Sequence, residues 1–129
     1  MSAELTYLAW VTVLTMVLWI PYILDRFAVR GLADTVGYPT DPRPQSPWAV
    51  RLKNAHANAI ENLVVFAALV LVAEIAGATN GVTATAALVY FWARVAHAIV
   101  YALGIPWLRT LAFTAGFFAQ VAIAWQVLA

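Results

Sequence analysis

The sequence predicts an all-α membrane protein, a four-transmembrane-helix bundle of up-down topology. Three observations carry this. The 129 residues are 64% apolar and 10% charged, with a mean hydropathy of +0.84, against roughly 45–50% apolar and about 25% charged in soluble domains. A chain this short has too little interior to hide so many apolar side chains, so most of them face lipid. Charge-free runs of spanning length recur along the chain, and Gly/Pro/Asn signals separate them. The net charge of +1, from seven basic and six acidic residues, makes no basic field and argues against a nucleic-acid partner. There is no cysteine. Disulfides, thiolate nucleophiles and cysteine metal sites are therefore excluded, and thiol chemistry would need a thiol from outside.

The first span, about residues 5–25, rests on Leu5–Leu24, which contains no Asp, Glu, Lys or Arg and matches the hydrocarbon thickness. It lacks the basic n-region and small-residue cleavage site of a secretory signal, and Pro21 kinks or ends it. Residues 26–46 read as the one long loop, rich in Gly, Pro, Asp and Arg. The second span, about 47–76, carries Lys53, Asn54, His56, Asn58, Glu61 and Asn62 in its first half. Gly77-Ala78-Thr79-Asn80-Gly81 breaks the chain before a third span at about 82–103, and Gly104-Ile105-Pro106 breaks it before a fourth at about 107–128. Tight connections force antiparallel neighbours, and residues 1–129 form a single membrane domain. Arg26, Arg30, Arg43, Arg51, Lys53 and Arg109 gather at one end of the spans. The Lys/Arg bias thus places the loop in the cytoplasm and both termini on the opposite side.

Glu61 and Arg94 are the ionisable residues within spans, where each costs about 2.5–3.5 kcal/mol unless partnered. At 1.5 Å per residue, Glu61 lies about 12–15 Å in from the cytoplasmic-end charges Lys53 and Arg51, and Arg94 about 14 Å from the end of its own helix. The two meet at one depth, which predicts an ion pair. Arg51, Asn54, Asn58 and Glu61 make one polar stripe, and Arg94, His97 and Tyr101 make another. Arg109 and Thr110 open the fourth helix at the same level, where unpaired N–H groups add a positive dipole end. Together these groups suit a polar ligand bearing carboxylates. The same groups also read as interhelical glue. Tyr101, Trp107 and Trp48 read as an interfacial belt, Glu74 as snorkelling at the far interface without a partner, and His56 as structural. Two histidines on different helices make no metal site.

Ala55-His56-Ala57-Asn58-Ala59-Ile60-Glu61-Asn62 with Phe66, then Arg94-Val95-Ala96-His97-Ala98-Ile99-Val100-Tyr101 before Arg109-Thr110, resemble the MAPEG superfamily, membrane-associated proteins of eicosanoid and glutathione metabolism. The likeness covers Arg51 to the C-terminus and is to a bacterial-type member of the glutathione transferase or prostaglandin E synthase kind. It implies a homotrimer, in the inner membrane for a bacterial protein, with glutathione as cosubstrate held between subunits near the cytoplasmic face. It also implies a transferase or peroxidase activity on hydrophobic electrophiles or lipid hydroperoxides. Carried over by position, Arg51, Asn58, Glu61, Arg94, His97 and Tyr101 bind glutathione, and Arg109 and Thr110 match an Arg-Ser pair beside the thiol. Arginine stays protonated and cannot act as a base. Its role is to stabilise the thiolate, with the Thr110 hydroxyl donating a hydrogen bond. The chain departs from the prostaglandin synthase pattern at Asn54 and Ala57, which replace arginines, and at Phe113, which replaces a tyrosine. Ala57 and Phe113 suit the alternative, a non-catalytic lipid-binding or scaffold member of the same fold. A small transporter fits least, because no inverted repeat or discontinuous helix is visible.

Overall fold

The computed structural model describes residues 1–129, and its regular secondary structure is all helix. Five helices follow in order: α1 (Ala3–Val17), α2 (Trp19–Val36), α3 (Pro47–Ile75), α4 (Gly81–Ala102) and α5 (Pro106–Leu128). α1 and α2 form one bent rod, so four helices are long and apolar enough to cross a membrane. The bend at Leu18 follows from Pro21. A proline clashes with the carbonyl four residues before it and withholds the N–H that carbonyl would accept, and here that carbonyl belongs to Val17, the last residue of α1. His56 of α3 braces the bend. Its Nε2 lies 2.8 Å from the Thr15 carbonyl, which can only accept, so Nε2 carries the proton and Nδ1 accepts from the Tyr22 hydroxyl at 2.8 Å.

The long polar segment differs from its reading as a loop over 26–46. Helix continues to Val36, with one break at Gly31, whose φ is 77°. Charged residues outside the bilayer are adequate helix formers, and the prolines that forbid helix begin only at Pro39. The remaining non-helical stretch, 37–46, is tied back to α2. Asp25 accepts from the Ser46 N–H at 3.0 Å and its hydroxyl at 2.5 Å, and Gln45 donates to the Tyr22 carbonyl at 2.6 Å. Asp25 thereby satisfies donors at the start of α3, where Pro47 opens the helix.

Glycine ends both α3 and α4 in the same way. Gly77 (φ 67°) and Gly104 (φ 76°) take the left-handed conformation. The Ala78 N–H reaches the Ala73 carbonyl and the Ile105 N–H reaches the Val100 carbonyl, at 2.8 and 3.0 Å. This is the Schellman pattern, which reverses the chain in a few residues. α4 starts on a full capping box between Asn80 and Thr83. It then packs against α1, α3 and α5, with Phe66, Val70, Ala87, Tyr90 and Ile123 at the centre of the core. Phe66 and Tyr90 stack with ring centroids 3.9 Å apart and planes 9° apart.

The end away from the loop has its own polar clamp. Thr83, fully buried, donates to Glu4 at 2.7 Å. Asn80 donates to Gln126 at 2.7 Å, and Ser2 hydrogen-bonds Glu74. Glu74, read as unpartnered, is therefore held by Ser2, the N-cap of α1.

Candidate functional site

At the loop end, α3, α4 and α5 converge on a cavity of about 330 Å³ lined by Asn58, His97, Tyr101, Arg109, Thr110 and Phe113. Each helix supplies its part through its period. On α4, Arg94, His97 and Tyr101 lie three and four residues apart and share one face. On α5, the Pro106 start places Arg109 at the end of the first turn and Thr110 directly after it, and Phe113 follows one turn beyond Arg109. Arg109 is fixed by stacking, with its guanidinium carbon 4.9 Å from the Tyr101 ring centroid, a cation–π contact. The His97 ring meets the edge of Tyr101 at 5.4 Å and 72° and lies 6.4 Å from Phe113. Tyr101, with a belt position as its other reading, is half-buried and lines the cavity.

Arg94 stands behind this wall, 3% exposed. Its Nη2 donates to Asn58 Oδ1 at 2.7 Å, so the expected ion pair with Glu61 is replaced by a bond to an amide. Helix geometry explains the substitution. Three residues turn through most of one helical circuit, leaving Glu61 about 60° around the helix from Asn58. Asn58 points inward and Glu61 is exposed. Asn58 is steadied in turn by Asn62, which donates to its carbonyl at 2.9 Å, while Gln120 of α5 donates to the Asn62 carbonyl at 3.2 Å. Arg51 also lies outside the cavity. Its Nε donates to the Ala102 carbonyl at 2.9 Å at the end of α4, and its guanidinium packs against Gly104, where a Cβ would come within 3.2 Å of it. Asn54 and Ala57 are exposed on the same outer face of α3 as Glu61.

Three buried polar atoms on the inner face of α4 lack hydrogen-bond partners within the protomer: Tyr90 Oη, Arg94 Nε and His97 Nδ1. An unpaired buried polar group is costly, and an unpaired charge more so. His97 lines the cavity, and no carboxylate does. The arrangement can therefore receive an anion or a strong hydrogen-bond acceptor. The Thr110 hydroxyl donates to the Pro106 carbonyl at 3.1 Å. Its single proton is thus committed within the helix, and toward the cavity it offers lone pairs instead of the donated bond expected of it. Tyr90, Asn62 and Gln120 complete the polar interior without having been singled out as site residues. Tyr90 precedes Arg94 by four residues, and this continuation of the polar stripe is the signal that would have found it.

These features define a class, a multi-pass helical membrane protein with a cationic cavity at one end of its bundle. The chain matches the MAPEG family over residues 7–129 and belongs to it. That membership places it among membrane proteins of glutathione and eicosanoid metabolism. No curated protein and no solved structure matches the chain.

Proposed function

We propose that the protein is a glutathione-dependent transferase or peroxidase that binds the tripeptide in the cavity at the loop end and delivers its thiolate to hydrophobic electrophiles or lipid hydroperoxides. The observation that carries this reading is the cavity's charge. Arg109 lines it, Arg94 lies behind it, and no carboxylate opposes them. A volume near 330 Å³ falls at the lower end of small-molecule sites. Asn58, His97 and Tyr101 supply hydrogen bonds to the peptide. The guanidinium of Arg109 stabilises the thiolate and lowers a thiol pKa that is near 8.5 when unperturbed, and Thr110 accepts the S–H of the neutral thiol. In transfer, sulfur forms a bond to an electrophilic carbon as the leaving group departs with its electron pair. In peroxide reduction, sulfur attacks the O–O bond to give an alcohol and a sulfenic acid, which a second glutathione converts to disulfide and water.

In this proposal the chain works as a homotrimer with the loop in the cytoplasm and both termini across the membrane, the inner one in a bacterium. Glu61, exposed on the protomer, contributes to the site from its outer face in the assembly. Phe113 in the cavity wall favours a second reading, a non-catalytic lipid-binding or scaffold protein, because it places an apolar ring where a hydroxyl would help the thiol.

Calorimetry with reduced glutathione and a conjugation assay with a chlorodinitrobenzene separate the two readings. Binding at millimolar glutathione with turnover supports the enzyme, and Arg109→Gln should then retain the trimer while losing the ultraviolet thiolate absorbance of the bound ligand. Absence of binding at that concentration overturns the enzymatic reading.

A further inference from the structure

An apolar groove of about 420 Å³ lies at the loop end beside the junction of α1 and α2, and it shares no lining residue with the polar cavity. Leu14 and Leu18 form one wall, Trp48 and Leu52 another, and Ala98 with Leu103 a third. From Val95 to Leu103 the α4 wall runs about 12 Å along the bilayer normal. The lining holds almost nothing that can hydrogen-bond, so its complement is a hydrocarbon chain. A cation borders it. Arg51 directly precedes Leu52 and holds the carbonyl of Ala102, and both of those residues line the groove. Of its five N–H donors only Nε is used, and the Nη groups make no hydrogen bond within the chain. Arg51 is partly exposed one turn from Trp48, the level at which the sequence places the interfacial belt. Two other apolar grooves, one between α4 and α5 beginning at Gly81 and one along the last turns of α5 from Val121 to Ala129, lie at the opposite end, and no wall residue of either is held by a Lys or Arg side chain.

We propose that the groove at the α1–α2 bend is a site for one anionic phospholipid, with an acyl chain between α1, α3 and α4 and the phosphate on the Nη groups of Arg51. Guanidinium and phosphate match in charge and in bidentate geometry, and the chain fills a concavity whose wall is almost wholly apolar. This inference goes beyond the proposed glutathione chemistry and does not depend on it.

The test is native mass spectrometry of the full-length protein released from nanodiscs of phosphatidylglycerol, phosphatidylcholine or an equal mixture. The wild type is expected to retain phosphatidylglycerol in preference. Arg51→Gln should reduce that preference about fivefold, the worth of one cation near an anionic headgroup, while lipid of both kinds stays bound. Lys53→Gln, on the exposed opposite face of the helix, should leave the preference unchanged. Ala102→Phe should fill the groove and remove retention of both lipids, and Ile99→Trp, at a more exposed wall position, repeats the experiment if the first variant fails to fold. An unaltered preference in Arg51→Gln overturns the headgroup assignment. A change of oligomeric mass in Ala102→Phe without lipid loss overturns the occupant in favour of a second copy of the chain. Parallel glutathione titrations keep the two proposals apart. If Arg51→Gln weakens glutathione binding and spares the lipid preference, Arg51 belongs to the peptide site and the lipid proposal fails. If glutathione binds nowhere while the lipid preference tracks Arg51, only the enzymatic reading fails.

Discussion

Arg94 is the side chain whose burial most needs an explanation, because at 3% exposure it holds a charge against one amide oxygen. Breaking a buried polar contact by removing one partner costs more than removing both, since the survivor keeps its desolvation penalty. Asn58→Ala should therefore destabilise the protein by about 1–3 kcal/mol, read as a lowered midpoint of thermal unfolding in detergent. Adding Arg94→Leu to it should recover part of the loss. If the double variant is less stable than Asn58→Ala alone, another group supports Arg94. At this scale the sequence was informative about which residues are polar and inward on α4, since Arg94, His97 and Tyr101 follow the helical period. It was not informative about their partners. Depth along the axis placed Glu61 level with Arg94, but the partner is chosen by azimuth, and Asn58 lies about 60° nearer to α4.

At the scale of elements, the breaks in the chain were legible wherever the residue type dictates the backbone. Asn80, Gly77 and Gly104 mark helix ends for stated reasons of hydrogen bonding and positive φ, and the helices end there. The segment after Asp25 was harder to read, because its charges exclude it from lipid without excluding helix, and only Gly31 and the prolines from Pro39 onward constrain its backbone. Two substitutions separate the kinds of helix end. Asn80→Ala removes a capping box and should cost about 1 kcal/mol, with no effect on ligand or lipid binding. Gly104→Ala should cost about 1–2 kcal/mol because an L-residue is placed at positive φ. Its Cβ also meets the Arg51 guanidinium at 3.2 Å, so it should shift the phospholipid preference in the same direction as Arg51→Gln. Unfolding midpoints give the first effect and lipid retention the second. A Gly104→Ala protein with altered stability and unaltered lipid preference would place the Arg51 head away from the phosphate.

For the whole molecule, the uneven placement of charge is more informative than the net value of +1. The loop end holds six cations, Arg26, Arg30, Arg43, Arg51, Lys53 and Arg109, against three carboxylates, Asp25, Asp34 and Asp41, while the other end holds the carboxylates Glu4 and Glu74 and no Lys or Arg. Glu61 belongs to neither group. It is exposed on the outer face of α3, one turn beyond Asn58, and that face continues through Val64, Val65, Ala68 and Leu71. Were the protomer alone in the bilayer, an ionisable group at that depth would cost about 2.5–3.5 kcal/mol. In the proposed trimer the same face packs against a neighbouring copy, and Glu61 lies at that interface, where its carboxylate can receive the ammonium group of glutathione while the arginines keep the ligand's carboxylates and thiolate. Glu61→Leu distinguishes the two situations. If Glu61 faces lipid, leucine relieves a penalty, so the unfolding midpoint rises and the molecular mass in detergent stays as it was. If Glu61 faces a neighbour, leucine removes a carboxylate from the subunit interface beside the glutathione site. Light scattering on the purified variant should then show dissociation toward the monomer, with glutathione binding lost in step, and this is the outcome the proposed assembly requires.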